Sequence, residues 1–164
     1  MKIKLINGGV VLIDKKDFVR LCKYKWYLYK THNKETIYQY AIRYTPANYG
    51  QKHIMMHREI MCLNDKNLLV DHINHNGLDN RRKNLRVATR AQNTWNKKLQ
   101  VNSITGLKGV APVNGKKMKK WKVQIGYKGK KIYLGTFDNL IKACESYNEA
   151  AKKYYGEFAF LNTI

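Results

Sequence analysis

A carboxylate and an imidazole stand side by side at Asp71-His72, where the apolar run Leu68-Leu69-Val70 ends, and two amides follow at Asn84 and Asn93. An imidazole titrates near neutrality, so His72 has the chemistry of a general base. The Asp71 carboxylate and the Asn93 amide oxygen are hard donors of the kind that hold Mg²⁺ or Mn²⁺. Base and cation together are the parts of metal-assisted hydrolysis. A single His at a strand end is more often a hydrogen-bonded structural group than a base, so the weight falls on whether the four residues are brought into register.

The flanking pattern does this. Met55 to Leu63 has apolar residues at helical spacing, Asn64, Asp65 and Asn67 supply turn chemistry, and Leu68 to Val70 begins a strand. A polar loop runs from Asn74 to Asn84, Leu85 to Ala88 is again strand-like, and Thr89 precedes a basic helix over Arg90 to Lys98 as its N-cap. The order strand, loop, strand, helix gathers the acid, the imidazole and both amides.

The runs Asp71-His72-Ile73-Asn74, Leu78-Asp79-Asn80-Arg81-Arg82-Lys83-Asn84-Leu85-Arg86 and Thr89-Arg90-Ala91-Gln92-Asn93 resemble the ββα-metal motif of the HNH endonuclease family, over about residues 55–98. The resemblance implies phosphodiester hydrolysis, with His72 activating water, Asp71 and Asn93 holding the metal, and Asn84 steadying the loop that presents His72. Asn93 stands where many such enzymes have His, which is similar to the phage homing branch and favours Mg²⁺ or Mn²⁺ over an imidazole-rich zinc site. Arg81, Arg82 and Arg90 lie within these runs and are expected at DNA. His57, in a His-Arg pair, reads as packing or a phosphate contact, and His75 has no assigned role. His53 and His57 lie four apart, on what could be one helix face, but without nearby thiols they make no zinc site. Asp79 and Asn80 read as turn and capping residues.

Residues 1–50 read as short strands around one helix: Ile3 to Ile6, Gly9 to Ile13, a helix from Lys16 to Cys22 with Asp14 as its cap, Trp26 to Tyr29, and Ile37 to Tyr44. They carry no constellation of acid, base or nucleophile. A linker is expected at 99–105. Beyond it Gly109 to Val113, Trp121 to Tyr127 and Lys131 to Phe137 read as three strands, and Asp138 as the cap of an amphipathic helix. The fold class is therefore α+β: a mixed α/β region with the HNH motif over 1–98, then a three-stranded antiparallel sheet packed on one helix over 106–164.

Residues Gly106 to Val110, Trp121 to Ile125, Tyr133 to Phe137, Ala143, Tyr147, Ala150-Ala151, Gly156 and Asn162 resemble the plant ethylene-response-factor (AP2/ERF) DNA-binding domain, also found appended to phage HNH nucleases. The resemblance implies a sheet laid into the major groove with the helix behind it. Strand alternation agrees, putting Trp121, Val123 and Ile125 on one face and Lys120, Lys122 and Gln124 on the other. Gln124 suits adenine, Lys108, Lys122 and Lys131 suit phosphates or guanine edges, and Tyr133 suits sugar or a thymine methyl. The plant domain has arginines where this chain has Ala111, Val113 and Gly126, so its target sequence does not transfer.

Lys and Arg outnumber Asp and Glu by 32 to 11, a net charge of +21 spread along 164 residues. Such self-repulsion asks for a polyanion, and twelve Tyr and three Trp among the basic residues favour a folded nucleic-acid binder over a disordered arm. Cys22, Cys62 and Cys144 form no Cys-x-x-Cys pair, which points away from a zinc ribbon or a disulfide framework and toward a reducing compartment. The first residues do not read as a signal peptide and no apolar run approaches membrane-spanning length, so a cytoplasmic location is expected. The expected protein is a monomeric, homing-type nickase of double-stranded DNA that requires neither membrane nor protein partner. A non-enzymatic DNA-binding regulator, a nonspecific HNH nuclease and an RNA-binding module are its rivals.

Overall fold

A computed structural model describes residues 1–33, 36–50, 52–99, 103–113 and 120–163. The chain divides into two compact units, Met1–Asn93 and Thr94–Ile164. Both combine small antiparallel sheets with helices, and four α-helices occur among the described residues, so the class is α+β. The expected linker at 99–105 includes residues 100–102, which lie outside the described residues.

In the first unit β1 (Lys2–Lys4) and β2 (Val10–Leu12) form a hairpin, followed by α1 (Lys15–Leu21). Then β3 (Tyr27–Asn33), β4 (Thr36–Tyr44) and β5 (His53–Met55) make a sheet in sequence order. Helix α2 (Met56–Ile60), the antiparallel pair β6 (Leu69–His72) and β7 (Leu85–Ala88), and the first four residues of α3 (Arg90–Asn96) complete the order. Apolar residues spaced for one face of each element meet in a single core of Val11, Ile13, Leu21, Trp26, Met56 and Ile60. Trp26 satisfies its buried indole N–H by donating to the Leu21 carbonyl at 2.8 Å.

Three local expectations shift. The helix read over Met55 to Leu63 is five residues long, and His53 and Met55 lie in a strand before it, so His53 and His57 share no helix face. Arg58 explains the early stop: its guanidinium donates to the carbonyls of Leu63, Asp65 and Leu68, drawing the chain into a turn that Cys62 enters at φ 52°. Asp14 occupies the N-cap position of α1 but its side chain caps nothing there, because its carboxylate accepts from the Arg82 backbone N–H at 2.7 Å.

In the second unit β8 (Val110–Pro112), β9 (Trp121–Tyr127) and β10 (Lys130–Phe137) form an antiparallel sheet with β9 central. Helix α4 (Leu140–Tyr155) covers one face, where Val110, Val123 and Ile125 meet Ala143, Cys144, Tyr147 and Ala151. Asn139, not Asp138, is the N-cap, accepting from the N–H groups of Ile141 and Lys142. Gly109 has a left-handed φ of 69°, and a Cβ there would lie 2.3 Å from the Tyr147 ring and 2.4 Å from the Gln124 carbonyl. The closeness of sheet and helix thus depends on its missing side chain.

Candidate active site

The loop between β6 and β7 is built from polar residues that bond one another in place of a regular ladder. Asn74 Oδ1 accepts from the Asn76 N–H and Asn76 Oδ1 from the Leu78 N–H, two successive Asx turns. Asn84 closes the loop from its far end: its Oδ1 accepts from the Asn74 N–H, and its Nδ2 donates to Asn74 Oδ1 and to the Asp79 carbonyl. Leu12 fastens the loop to the N-terminal hairpin, donating to the Leu78 carbonyl and accepting from the Asn80 N–H, each at 2.8 Å. Gly77 lies so close to β4 that a Cβ would fall 2.1 Å from the Gln39 carbonyl.

This scaffold surrounds His72, which is buried at the end of β6. Asn80 is fully buried, its Nδ2 donates to the Gly77 carbonyl, and its Oδ1 lies 3.3 Å from His72 Nε2. Because Asn80 Oδ1 can only accept, the contact places a proton on Nε2 and makes Nδ1 the basic nitrogen of a neutral His72. Two aromatic rings bound the imidazole: His57 edge-on at 5.1 Å between centroids and Tyr40 at 6.0 Å. Burial holds the His72 pKa below its ordinary value, against the opposing influence of the Asn80 hydrogen bond and the Asp71 and Asp79 charges. Burial also raises the Tyr40 hydroxyl, with the charges of Tyr38 and Asp71 in the same direction. His57 is lowered to about 3 by burial first, then by His72 and Arg58, so it is neutral, and its Nδ1 has no hydrogen-bond partner among the described residues.

Asp71 is buried and lies directly across the strand pair from Arg86, whose Nε donates to Asp71 Oδ2 at 2.9 Å while Nη2 lies 2.8 Å from the same oxygen. Asp71, His72 and Asn84 are thus brought together with Asn74, Asp79 and Asn80. Asn93 is half-buried on α3, outside this side-chain network among the described residues. β7 leads into α3 through a capping box in which Thr89 Oγ1 accepts from the Gln92 N–H and Gln92 Oε1 from the Thr89 N–H.

No group of three or more His, Cys, Asp or Glu side chains suited to a metal ion occurs among the described residues. One carboxylate and amide oxygens are a hard donor set that fits Mg²⁺ or Mn²⁺ with substrate completing the shell. The guanidinium of Arg86 is a stand-in, showing that positive charge is accommodated at Asp71.

The residues expected at DNA have different surroundings. Arg81 makes a two-pronged pair with Asp79, and Arg82 another with Asp17, so both guanidinium groups already face carboxylates. Each lowers the pKa of its carboxylate partner through these hydrogen bonds. Arg90 is exposed at the start of α3. In the second unit the Lys108 amine donates to the carbonyls of Trp95 and Lys97, and burial lowers its pKa to about 8. Lys122, Lys131 and Tyr133 are exposed and Gln124 is half-buried on the sheet face away from α4. There Tyr133 pairs with Gln124, its hydroxyl lies 2.7 Å from Thr136 Oγ1, and Lys122 approaches its ring. Lys120 is exposed, 3.7 Å from Asp138.

Sequence pattern read Asn80 as a turn or capping residue and His57 as packing or a phosphate contact, and gave Arg86 and Tyr40 no role at the site; His57 packs against His72 and Tyr40. Arg86 had a legible signal, since antiparallel pairing of the two short strands sets it opposite Asp71.

The site is thus a loop-held imidazole beside a buried carboxylate, on paired strands followed by a helix. A sequence profile described as HNH endonuclease matches residues 64–94. An uncharacterized HNH endonuclease of Acanthamoeba polyphaga mimivirus is 33% identical over 147 residues, covering 87% of this chain and 68% of that protein. No solved structure matches significantly. The chain belongs to the HNH endonuclease family and is a nuclease enzyme. No helix among the described residues is long and apolar enough to cross a membrane.

Proposed function

We propose that this nuclease is a sequence-directed, divalent-metal-dependent endonuclease of homing type, which nicks one strand of duplex DNA and leaves 5′-phosphate and 3′-hydroxyl ends. The observation that carries this reading is the fixed orientation of His72, with Nε2 held by Asn80 and the Asp71 carboxylate close enough to influence its charge. His72 Nδ1 accepts the proton of the attacking water. Asp71 and Asn93 would hold Mg²⁺ or Mn²⁺, which supplies charge neutralisation at the phosphate and the leaving 3′ oxygen. Asn84 keeps the loop closed around the imidazole, through three hydrogen bonds to Asn74 and Asp79. Arg90, exposed at the start of α3, would contact the DNA backbone.

The second unit reads the target. Its free sheet face offers Lys122, Gln124, Lys131 and Tyr133 in one patch, which suits a major groove in the manner of AP2/ERF domains. The net charge of +21 supplies the attraction to DNA. One site cuts one strand, so the enzyme works as a monomer.

The test is supercoiled plasmid bearing a site selected from a library of duplexes. Nicked circles should accumulate with Mg²⁺ or Mn²⁺, and His72→Ala should abolish them while DNA binding survives. Plasmid that stays intact at low salt sinks the nickase, and equal cutting of random DNA sinks the sequence-directed part.

A further inference from the structure

Asp71 and Arg86 are direct partners across β6 and β7, and side chains at such positions leave the same face of the ribbon. Both Nε and Nη2 of Arg86 converge on one oxygen, Asp71 Oδ2, at 2.9 and 2.8 Å. The pair is enclosed, with side-chain exposures of 10% for Arg86 and 7% for Asp71, so water and salt screen it weakly. The carboxylate to which the nuclease reading assigns a divalent cation therefore already has a cation in contact. A metal ion arriving at Asp71 meets the repulsion of a guanidinium that cannot lose its proton.

Two other buried carboxylates of this unit, Asp79 and Asp17, are already engaged. Asp79 holds Arg81 and Asn74, and Asp17 holds Arg82 and Arg20. The anion that enters the site in catalysis is a DNA phosphate, and a guanidinium fork matches phosphate as well as it matches carboxylate.

We propose that Arg86 is the internal counter-ion of Asp71 in the DNA-free enzyme, competing with the metal for that carboxylate, and that bound DNA draws Arg86 onto phosphate and so opens Asp71 to the cation. This rests on the reading of Asp71 as a metal ligand. It makes metal loading dependent on substrate, because any shift in metal affinity caused by DNA must be matched by an equal shift in DNA affinity caused by metal. It also explains how one carboxylate serves a site built to fill only on DNA.

The test uses the whole chain carrying His72→Ala, which blocks cleavage, and Mn²⁺ as the probe, with free Mn²⁺ followed by electron paramagnetic resonance. A short duplex at low salt is present or absent, and Mn²⁺ taken up by the duplex alone is subtracted. Without DNA, adding Arg86→Gln should tighten Mn²⁺ binding about tenfold or more, a coupling of ordinary size. With DNA the parent should tighten and the gap between the two should close. A folded Arg86→Gln chain that binds Mn²⁺ within about twofold of its parent in the absence of DNA overturns the proposal. Should Arg86→Gln fail to fold, Arg86→Lys and the parent decide: parent affinity that is the same with and without duplex overturns it equally. Asp71→Asn should abolish the bound Mn²⁺. If the parent binds none even with duplex, the metal assignment of Asp71 falls, and this inference with it; a parent that binds with duplex but an unchanged Arg86→Gln condemns the inference alone.

Discussion

Nε2 of His72 lies 3.3 Å from Oδ1 of Asn80, a residue with no exposed surface whose amide is turned by its bond to the Gly77 carbonyl. The contact fixes both the tautomer and the ring angle of the base. Asn80→Ala should therefore lower kcat by about 10- to 100-fold, part of the ~10²–10⁴ that a general base contributes, with DNA affinity unchanged. Single-turnover nicking beside a binding assay checks this; unchanged kcat would show that the ring is held by its aromatic neighbours alone.

Gly77→Ala should fail for a reason of space. The added Cβ would fall 2.1 Å from the Gln39 carbonyl and 2.8 Å from the Tyr40 ring, and the first of these is backbone that cannot swing aside. The loop must lift from β4, which moves His72 away from Tyr40. We expect a loss of about 2 kcal/mol or more in unfolding free energy together with loss of nicking. Urea denaturation and plasmid assays read the two effects.

Much of this site was legible because its parts are local. Turn-forming Asn and Asp residues between two short apolar runs announce a loop, and Thr89 with Gln92 announces the helix that carries Asn93. What escaped depends on partners distant in sequence. Asn80 has the composition of a turn residue, and its service to His72 follows from the loop being pinned by Leu12. Arg82 is one more basic residue until folding brings it to Asp17 and Asp14. The short α2 reflects the capture of three carbonyls by Arg58, which helical periodicity does not encode. Asp138 and Asn139 are both competent caps, and pattern alone does not choose between neighbours.

The neutral His57 gives the protein an acid sensitivity of definite sign. Its folded pKa is about 3 against an ordinary 6.5, first through burial and then through His72 and Arg58. The unfolded chain binds the proton through that interval and the folded chain does not, so the stabilisation is whole above pH 6.5 and is lost as pH falls toward 3. Between pH 7 and pH 5 this one group should cost about 2 kcal/mol. His57→Phe should show a correspondingly flatter dependence of its urea midpoint on pH. An equal slope in both proteins would mean that His57 titrates alike in the folded and unfolded chains.

Salt dependence separates the basic residues that meet DNA from those already engaged within the protein. Each phosphate neutralised adds about 0.9 to the slope of log affinity against log salt. Lys122 and Lys131 are exposed on the sheet face away from α4, so replacing both by Ala should reduce the slope by about two. Lys108 is spent on the carbonyls of Trp95 and Lys97, and Lys108→Ala should lower the melting temperature while leaving the slope nearly unchanged. Gln124→Ala should also leave the slope, yet relax discrimination at one base pair by about 1–3 kcal/mol, as loss of a two-pronged base contact does. Filter binding at several salt concentrations, on target and scrambled duplexes, measures all three. If Lys108→Ala lowers the slope by about one, the amine leaves its carbonyls for phosphate when DNA binds.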